Sequence, residues 1–245
     1  GYARKSELKT YIPVADEVLT QKIAAELKKL LPAGIVVPPM EIIVVDGGST
    51  GASVEVVCKF MSSVAPDTYP VPNLIQSPRG RARQLHAGAL AADADIFLFL
   101  HVDSVLPPGA ADDIRESIGR VRLWGCFDIR LSGRHFLFRI IERLMNWRSR
   151  FTSIATGDQG IFVRSDVYRV LDGFKPMPLM EDIELSRRLK WFGKPVCLPG
   201  PLVTSSRRWE QNGIVRTIFL MWTLRLLYWL GVSPTRLARW YYRQP

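Results

Sequence analysis

Three acidic clusters in this chain stand where carboxylates could do chemistry. His101-Val102-Asp103 follows directly on the apolar run Ile96-Phe97-Leu98-Phe99-Leu100. Asp46-Gly47-Gly48 closes a second apolar run, Glu41 to Val45, and Met180-Glu181-Asp182-Ile183-Glu184 opens a helical stretch. Five consecutive apolar residues read as a strand buried on both faces of a parallel sheet. Ligands of open α/β sheets bind beyond the carboxyl ends of such strands. Asp103 therefore stands where a metal or phosphate would be handled, although a plain turn fits too, because Pro107-Pro108-Gly109 follow. In a parallel sheet Asp46 and Asp103 would line one edge, and the glycines after Asp46 permit close backbone approach; a capped strand-to-helix turn would look the same. One carboxylate of the third cluster could act as a general base toward an attacking hydroxyl, or all three could simply complement a helix N-terminus. Glu181 and Glu184, at i and i+3, are expected on one face, with Asp182 pointing elsewhere.

Basic residues surround these clusters. Ser77-Pro78-Arg79-Gly80-Arg81-Ala82-Arg83-Gln84 is basic where a helix starts. Helix N-termini hold anions and guanidinium forks bind phosphate bidentately, so Arg79 and Arg83 could share a phosphate-binding face or form a solvated helix start. Arg207-Arg208-Trp209 could clamp a diphosphate and stack on a ring, or be a surface cation–π pair. Neither GxxxxGK[ST] nor GxGxxG occurs, which removes the usual support for P-loop and dinucleotide-binding readings.

The elements that must position these groups alternate. Strands are expected at Lys9 to Ile12, Glu41 to Val45, Leu74-Ile75, Ile96 to Leu100, Cys126 to Leu131 and Gly160 to Arg164. Helices are expected from Asp16 or Glu17 onward, over Val54 to Phe60, Arg81 to Ala91, Ala110 to Ile118, Phe136 to Arg150, up to Leu171, and from Met180 to Phe192. That alternation argues for an α/β fold with a doubly wound, mainly parallel sheet. From Ile214 to Val232 the chain is long and apolar enough to span a bilayer. Arg225 in its interior would cost roughly 2.5–3.5 kcal/mol there. With Arg236, Arg239 and Arg243 following, an interfacial helix on an anionic membrane accounts for more of the pattern; a buried helix or a dimer contact is the alternative.

Composition sets outer bounds. The 245 residues suit one large α/β domain, and a 47% hydrophobic content excludes general disorder. A net charge of +10 favours an anionic partner. Cys58, Cys126 and Cys197 are far apart in sequence, odd in number and without CxxC spacing, so no zinc site or disulfide framework is expected and a reducing compartment fits. No signal peptide is visible, and Gly1 without an initiator Met reads as a tag remnant or processed end.

Taken together, these motifs resemble those of family 2 glycosyltransferases of the GT-A fold, over about Tyr11 to Tyr242. Ile12-Pro13-Val14-Ala15-Asp16-Glu17 resembles the family's first-strand motif, and Val45-Asp46-Gly47-Gly48-Ser49-Thr50 its second, with Gly51 where an Asp usually follows. His101-Val102-Asp103 falls on the Asp-x-Asp signature with its first Asp replaced by His. Glu181-Asp182 falls on the Glu-Asp pair that supplies the base, Gly157-Asp158-Gln159-Gly160 matches the acceptor-side loop, and Arg207-Arg208-Trp209 resembles the Arg-Trp motif of related synthases. The Ser77–Gln84 segment is similar to a bacterial subgroup, the rSAM/selenodomain-associated transferases.

The resemblance implies a nucleotide-sugar-binding half (1–109), an acceptor half (110–205) and a basic, apolar helical tail (206–245). It implies inverting transfer from a nucleotide-diphosphate sugar, expected to be UDP-linked, to an acceptor hydroxyl. Asp182, beside Glu181, would be the base; Asp103, with His101, would hold Mg²⁺ or Mn²⁺. Pro13, Asp16, Glu17, Asp46, Gly47, Arg79, Arg83, Val102, Asp103, Arg207, Arg208 and Trp209 would bind the donor. The expected setting is cytoplasmic, with a peripheral place on the inner face of the cell membrane, a lipid-linked acceptor and an oligomer through the C-terminal helix left open; an anionic membrane surface is an expected partner and nucleic acid is not. A nucleotidyltransferase on a related fold is the enzymatic rival, though its Gly-rich basic loop after the first strand is absent. A non-catalytic membrane- or anion-binding module is the other alternative.

Overall fold

The computed structural model describes residues 8–14 (backbone), 40–49, 58, 73–119 and 121–242. The helices expected after Asp16 and over 54–60 lie outside these residues, apart from Cys58, itself helical. The strands are β1 (Leu8–Val14), β2 (Met40–Asp46), β3 (Asn73–Gln76), β4 (Ile96–Phe99), β5 (Ser104–Val105), β6 (Trp124–Leu131), β7 (Ile161–Arg164) and β8 (Val196–Thr204). They form one eight-stranded sheet in the order β3-β2-β1-β4-β7-β6-β8-β5. Strands β3, β2, β1 and β4 run parallel, so Asp46 and the end of β4 reach the same edge, as expected. The direction reverses between β4 and β7, and again between β7 and β6.

The helices are α1 (Arg81–Ala91), α2 (Ala110–Ser117), α3 (Phe136–Thr152), α4 (Ser165–Val170), α5 (Glu181–Leu189), α6 (Arg207–Asn212), α7 (Ile214–Trp229) and α8 (Pro234–Tyr242). Alternate side chains of β4 serve two cores, because successive strand residues point to opposite faces. Phe97 and Phe99 pack with α1, α4 and α5 through Leu85, Tyr168 and Leu185. Ile96, Leu98 and Leu100 pack with Ala110 and Ile114 of α2 and with Phe127 and Phe162. This two-sided burial is the physical content of the uninterrupted apolar run.

Strand β8 is the element that local pattern conceals. Pro199-Gly200-Pro201 in its middle argues against a strand, since proline donates no ladder hydrogen bond. The pairing with β6 skips there: Phe127 lies opposite Leu198 and Ile129 opposite Leu202, so the prolines occupy a bulge. The same ladder sets Cys126 directly opposite Cys197, with the two free thiols 3.9 Å apart. At its end, β8 pairs with the two-residue β5, Ser104 opposite Thr204.

Helix α3 completes β6 where β7 no longer covers it. Asn146 Oδ1 accepts from Ile129 N at 2.9 Å, and the buried Glu142 accepts from Leu131 N at 2.5 Å while pairing with Arg139 at 3.0 Å. These side chains substitute for a neighbouring strand. Removing a charged acceptor from a buried N–H costs about 2 kcal/mol. The substitution Glu142→Ala should therefore lower the urea midpoint by that stability with an unchanged m-value.

Candidate functional site

A cleft of about 610 Å³ opens at the end of β4 and collects residues from distant parts of the chain. His101 and Asp103 enter it from the turn after β4, held by a bond from Ser104 N to His101 O (3.0 Å). The clamp of β5 onto β8 then brings Asp103 near Arg207, because α6 begins just after β8. Arg207, Arg208 and Trp209 all line the cleft, and Arg208 stacks over Tyr241 of α8 at 4.3 Å.

Glu181 and Asp182 enter from the start of α5. Met180, in the left-handed region at φ 70°, turns the chain into that helix. Its side chain is buried against Leu224 and Leu237, packing that offsets the local strain. Glu181 is buried and meets Arg81 at 3.2 Å. Burial raises its carboxyl above the usual range, Asp182 adds to this, and Arg81 opposes it. Asp182 accepts from Gly157 N (2.8 Å) and from Ile183 N (2.7 Å), which fixes its carboxylate at the cleft wall. Both members of the pair thus face the cleft. Glu184, expected beside Glu181, is instead engaged by Arg188 and Lys175.

The loop Gly157-Asp158-Gln159-Gly160 supplies the opposite wall. Gln159 is buried and takes bonds from Ser149, Arg148 and Thr156, so Asp158 is left facing the cleft. Asp158 lies 3.5 Å from His101 Nδ1, and Arg81 is equally close. Burial holds the imidazole well below its usual pKa, and Arg81 pushes it further, so His101 is neutral near pH 7. Among the described residues its buried Nε2 has no hydrogen-bond partner, and a Cβ at Gly157 would lie 2.6 Å from it. Asp103 is raised above the usual carboxylate range, first by burial and then by Asp158.

Among the described residues no group of three or more His, Cys, Asp or Glu side chains is arranged to hold a metal. The donor set nevertheless suits a hard cation shared with a substrate, since Mg²⁺ is commonly held by one or two carboxylates plus phosphate oxygens. Asp103 offers such a carboxylate, and positive charge there would relieve its repulsion with Asp158.

Of the other residues named from sequence, Asp46, Gly47, Val102, Arg79 and Arg83 are described and do not line this cleft. Pro13 sits in β1 opposite Val45, and Asp16 and Glu17 fall outside the described residues. Asp46 is buried at the end of β2 and accepts from Gly48 N, Ser49 N and Ser49 Oγ, stapling its own turn. Gly47 is closely approached by Gln84, whose amide donates to Val45 O at 3.1 Å. Val102 is buried, and Arg79 and Arg83 are exposed outside the cleft lining. The basic loop reaches the cleft through Arg81 instead. Arg225 also lines it, with its charged form disfavoured by burial and favoured by Asp182 and Asp158. The interior arginine of the apolar segment thus faces carboxylates. Its place in a long apolar run was the only signal available in sequence.

The glycosyl transferase family 2 model matches residues 12–171, more than half of the chain. The chain belongs to glycosyl transferase family 2. Its curled, mainly parallel sheet has the GT-A fold. Among solved structures, that of S. aureus TarS 1-349 superposes with a TM-score of 0.61 at 15% identity, covering 82% of this chain and 60% of that one. TarS 1-349 in complex with UDP-GlcNAc gives 0.61 at 14% identity, covering 81% and 58%. The mannosyltransferase PcManGT from Pyrobaculum calidifontis, in complex with GDP-Man and Mn2+, gives 0.59 at 16%, covering 83% and 57%. The chain thus spans less than two thirds of these proteins. No curated protein matches it by sequence.

Within this family member, Arg81→Met tests the ion pair between α1 and α5. It leaves Glu181 buried without its cation, and because Arg81 is partly open to solvent the cost is about 1–3 kcal/mol. Losing the arginine raises the folded-state pKa of Glu181 further above its unfolded value, so the variant takes up protons on folding and loses stability as pH rises. Denaturation at a series of pH values should show the smallest deficit near the unfolded carboxyl pKa of about 4 and a larger one at neutrality.

Proposed function

We propose that the chain transfers a sugar, with inversion, from a UDP-linked donor to an acceptor hydroxyl. The observation that carries this is the cleft itself: Asp182 is fixed at its wall by two backbone N–H groups, in one cavity with Asp103 and the Arg207-Arg208 pair. Family membership adds sugar transfer as the reaction class, and a UDP-sugar is bound by one structural relative and GDP-Man by another.

In this reading Asp182 removes the proton of the acceptor hydroxyl as its oxygen attacks the anomeric carbon in line with the departing diphosphate. Its two backbone bonds keep it oriented, with lone pairs left for the hydroxyl. Glu181 holds Arg81 in place and acts through it. Arg207 and Arg208 face the leaving diphosphate, where guanidinium groups stabilise developing negative charge. Trp209 offers a flat apolar surface beside them. Asp103 and His101 are the residues that would hold Mg²⁺ or Mn²⁺, which would supply further charge neutralisation on the diphosphate. Asp46 and Asp16 would position base and ribose, and Pro13, Glu17, Gly47, Val102, Arg79 and Arg83 are the other residues proposed to contribute to donor binding. The similarity to rSAM/selenodomain-associated transferases concerns genomic company and does not select a substrate.

Nucleotide release from UDP- and GDP-sugars with Mn²⁺ tests the proposal. Asp182→Asn should lower kcat by roughly 10²–10⁴ with donor affinity retained, as expected for loss of a general base. Asp103→Asn should weaken donor binding and flatten the metal dependence. Pyrophosphate in place of UDP would identify a nucleotidyltransferase. Full activity in both variants would remove these two residues from the chemistry.

A further inference from the structure

Two helices bordering the cleft turn rows of large apolar side chains outward. On α3, Phe136, Ile140, Leu144, Trp147 and Phe151 are 47–69% exposed. On α7, Val215, Phe219, Trp222, Leu226 and Trp229 are 55–77% exposed. Each row recurs every three or four residues and so occupies one side of its helix. The opposite sides are already engaged. Phe138, Ile141 and Met145 of α3 share a cluster with Ile214 and Ile218 of α7, and Leu224 of α7 packs with Leu237 of α8. The outward rows are therefore surplus to the core, on a scale that marks an interaction surface.

The charges beside these rows are of one sign. From Ile214 to Tyr242 there is no Asp or Glu, and the single carboxylate of α3, Glu142, is buried against β6. Arg134, Arg143, Arg236 and Arg239 are exposed, and among the described residues none is paired with a carboxylate. A second copy of this face would bring arginines against arginines. An anionic lipid surface meets both requirements, taking aromatic side chains at its interface and guanidinium groups at its headgroups. No described helix is long and apolar enough to cross a membrane, and Arg225 of α7 faces the cleft, so α7 suits lying in the interface.

We infer that the outer faces of α3 and α7, with the arginines beside them and on α8, form a docking surface for an anionic lipid bilayer. Helix α7 also gives Thr217, Met221, Leu224 and Arg225 to the cleft. A docked chain would therefore carry its cleft at the level of the headgroups; that corollary rests on the proposed function, whereas the docking does not.

Co-sedimentation of the chain with vesicles is the test. It should pellet with phosphatidylcholine–phosphatidylglycerol vesicles but not with phosphatidylcholine alone, lose binding as salt rises, and show blue-shifted tryptophan emission when bound. Replacing Trp147, Trp222 and Trp229 together by Ser should weaken partition roughly tenfold or more. The pair Arg143→Glu and Arg239→Glu should weaken it roughly fivefold per arginine and keeps the test valid if the tryptophan variant folds poorly. Both variants should still release nucleotide from soluble donor, so failure of docking and failure of the proposed activity are separate results. A chain that stays in the supernatant with anionic vesicles, or binding that both variants leave unchanged, overturns the inference. So does a dimer seen by light scattering that dissociates on the tryptophan substitutions while vesicles are ignored.

Discussion

The ion pair between Arg81 and Glu181 is the constraint on which the site depends. It joins the first residue of α1, on the parallel side of the sheet, to the first residue of α5, beyond the antiparallel strands. A buried carboxylate is costly unless a cation accompanies it, so burial of Glu181 obliges the two helix starts to approach. The guanidinium so placed also suppresses protonation of His101. The neighbouring Asp182 ties the same helix start to the loop at Gly157. Two adjacent carboxylates thus have different roles: one holds the two helix starts together, and the other is presented to the cleft.

The sheet explains why the groups converge. Parallel strands β1, β2 and β4 deliver their carboxyl ends to one edge, and the reversal at β7 and β6 builds the opposite wall from loops and helix starts. The short β5 then fastens the Asp103 turn to the end of β8, from which the arginines of α6 follow at once. Carboxylates and guanidinium groups therefore share one cleft, and those that are buried, such as Glu181, interact more strongly than they would at an open surface. Several of the flanking arginines, Arg148, Arg208 and Arg225, are held below their ordinary pKa by burial. An anionic ligand entering the cleft would reverse that effect.

The sequence by itself determined the strands whose burial is symmetric and the helices whose apolar period is clear. Ile96 to Phe99 needs apolar residues on both faces and shows them without a break, and the limits of α1 coincide with its pattern. The positions of Asp103, Glu181 and Asp182 at element ends were equally legible, because polar residues interrupt a pattern where a chain leaves the core. Tertiary structure alone decided the rest. Strand β8 exists because a bulge removes its prolines from the ladder, a fact of pairing with β6 that no local window contains. Arg81 rather than Arg79 or Arg83 enters the cleft because Glu181, a hundred residues away in sequence, is buried opposite it. Glu184 leaves the acidic group because Arg188 and Lys175 reach it first. Local spacing records which way a side chain points on its own element; which charge it meets there is set by long-range packing.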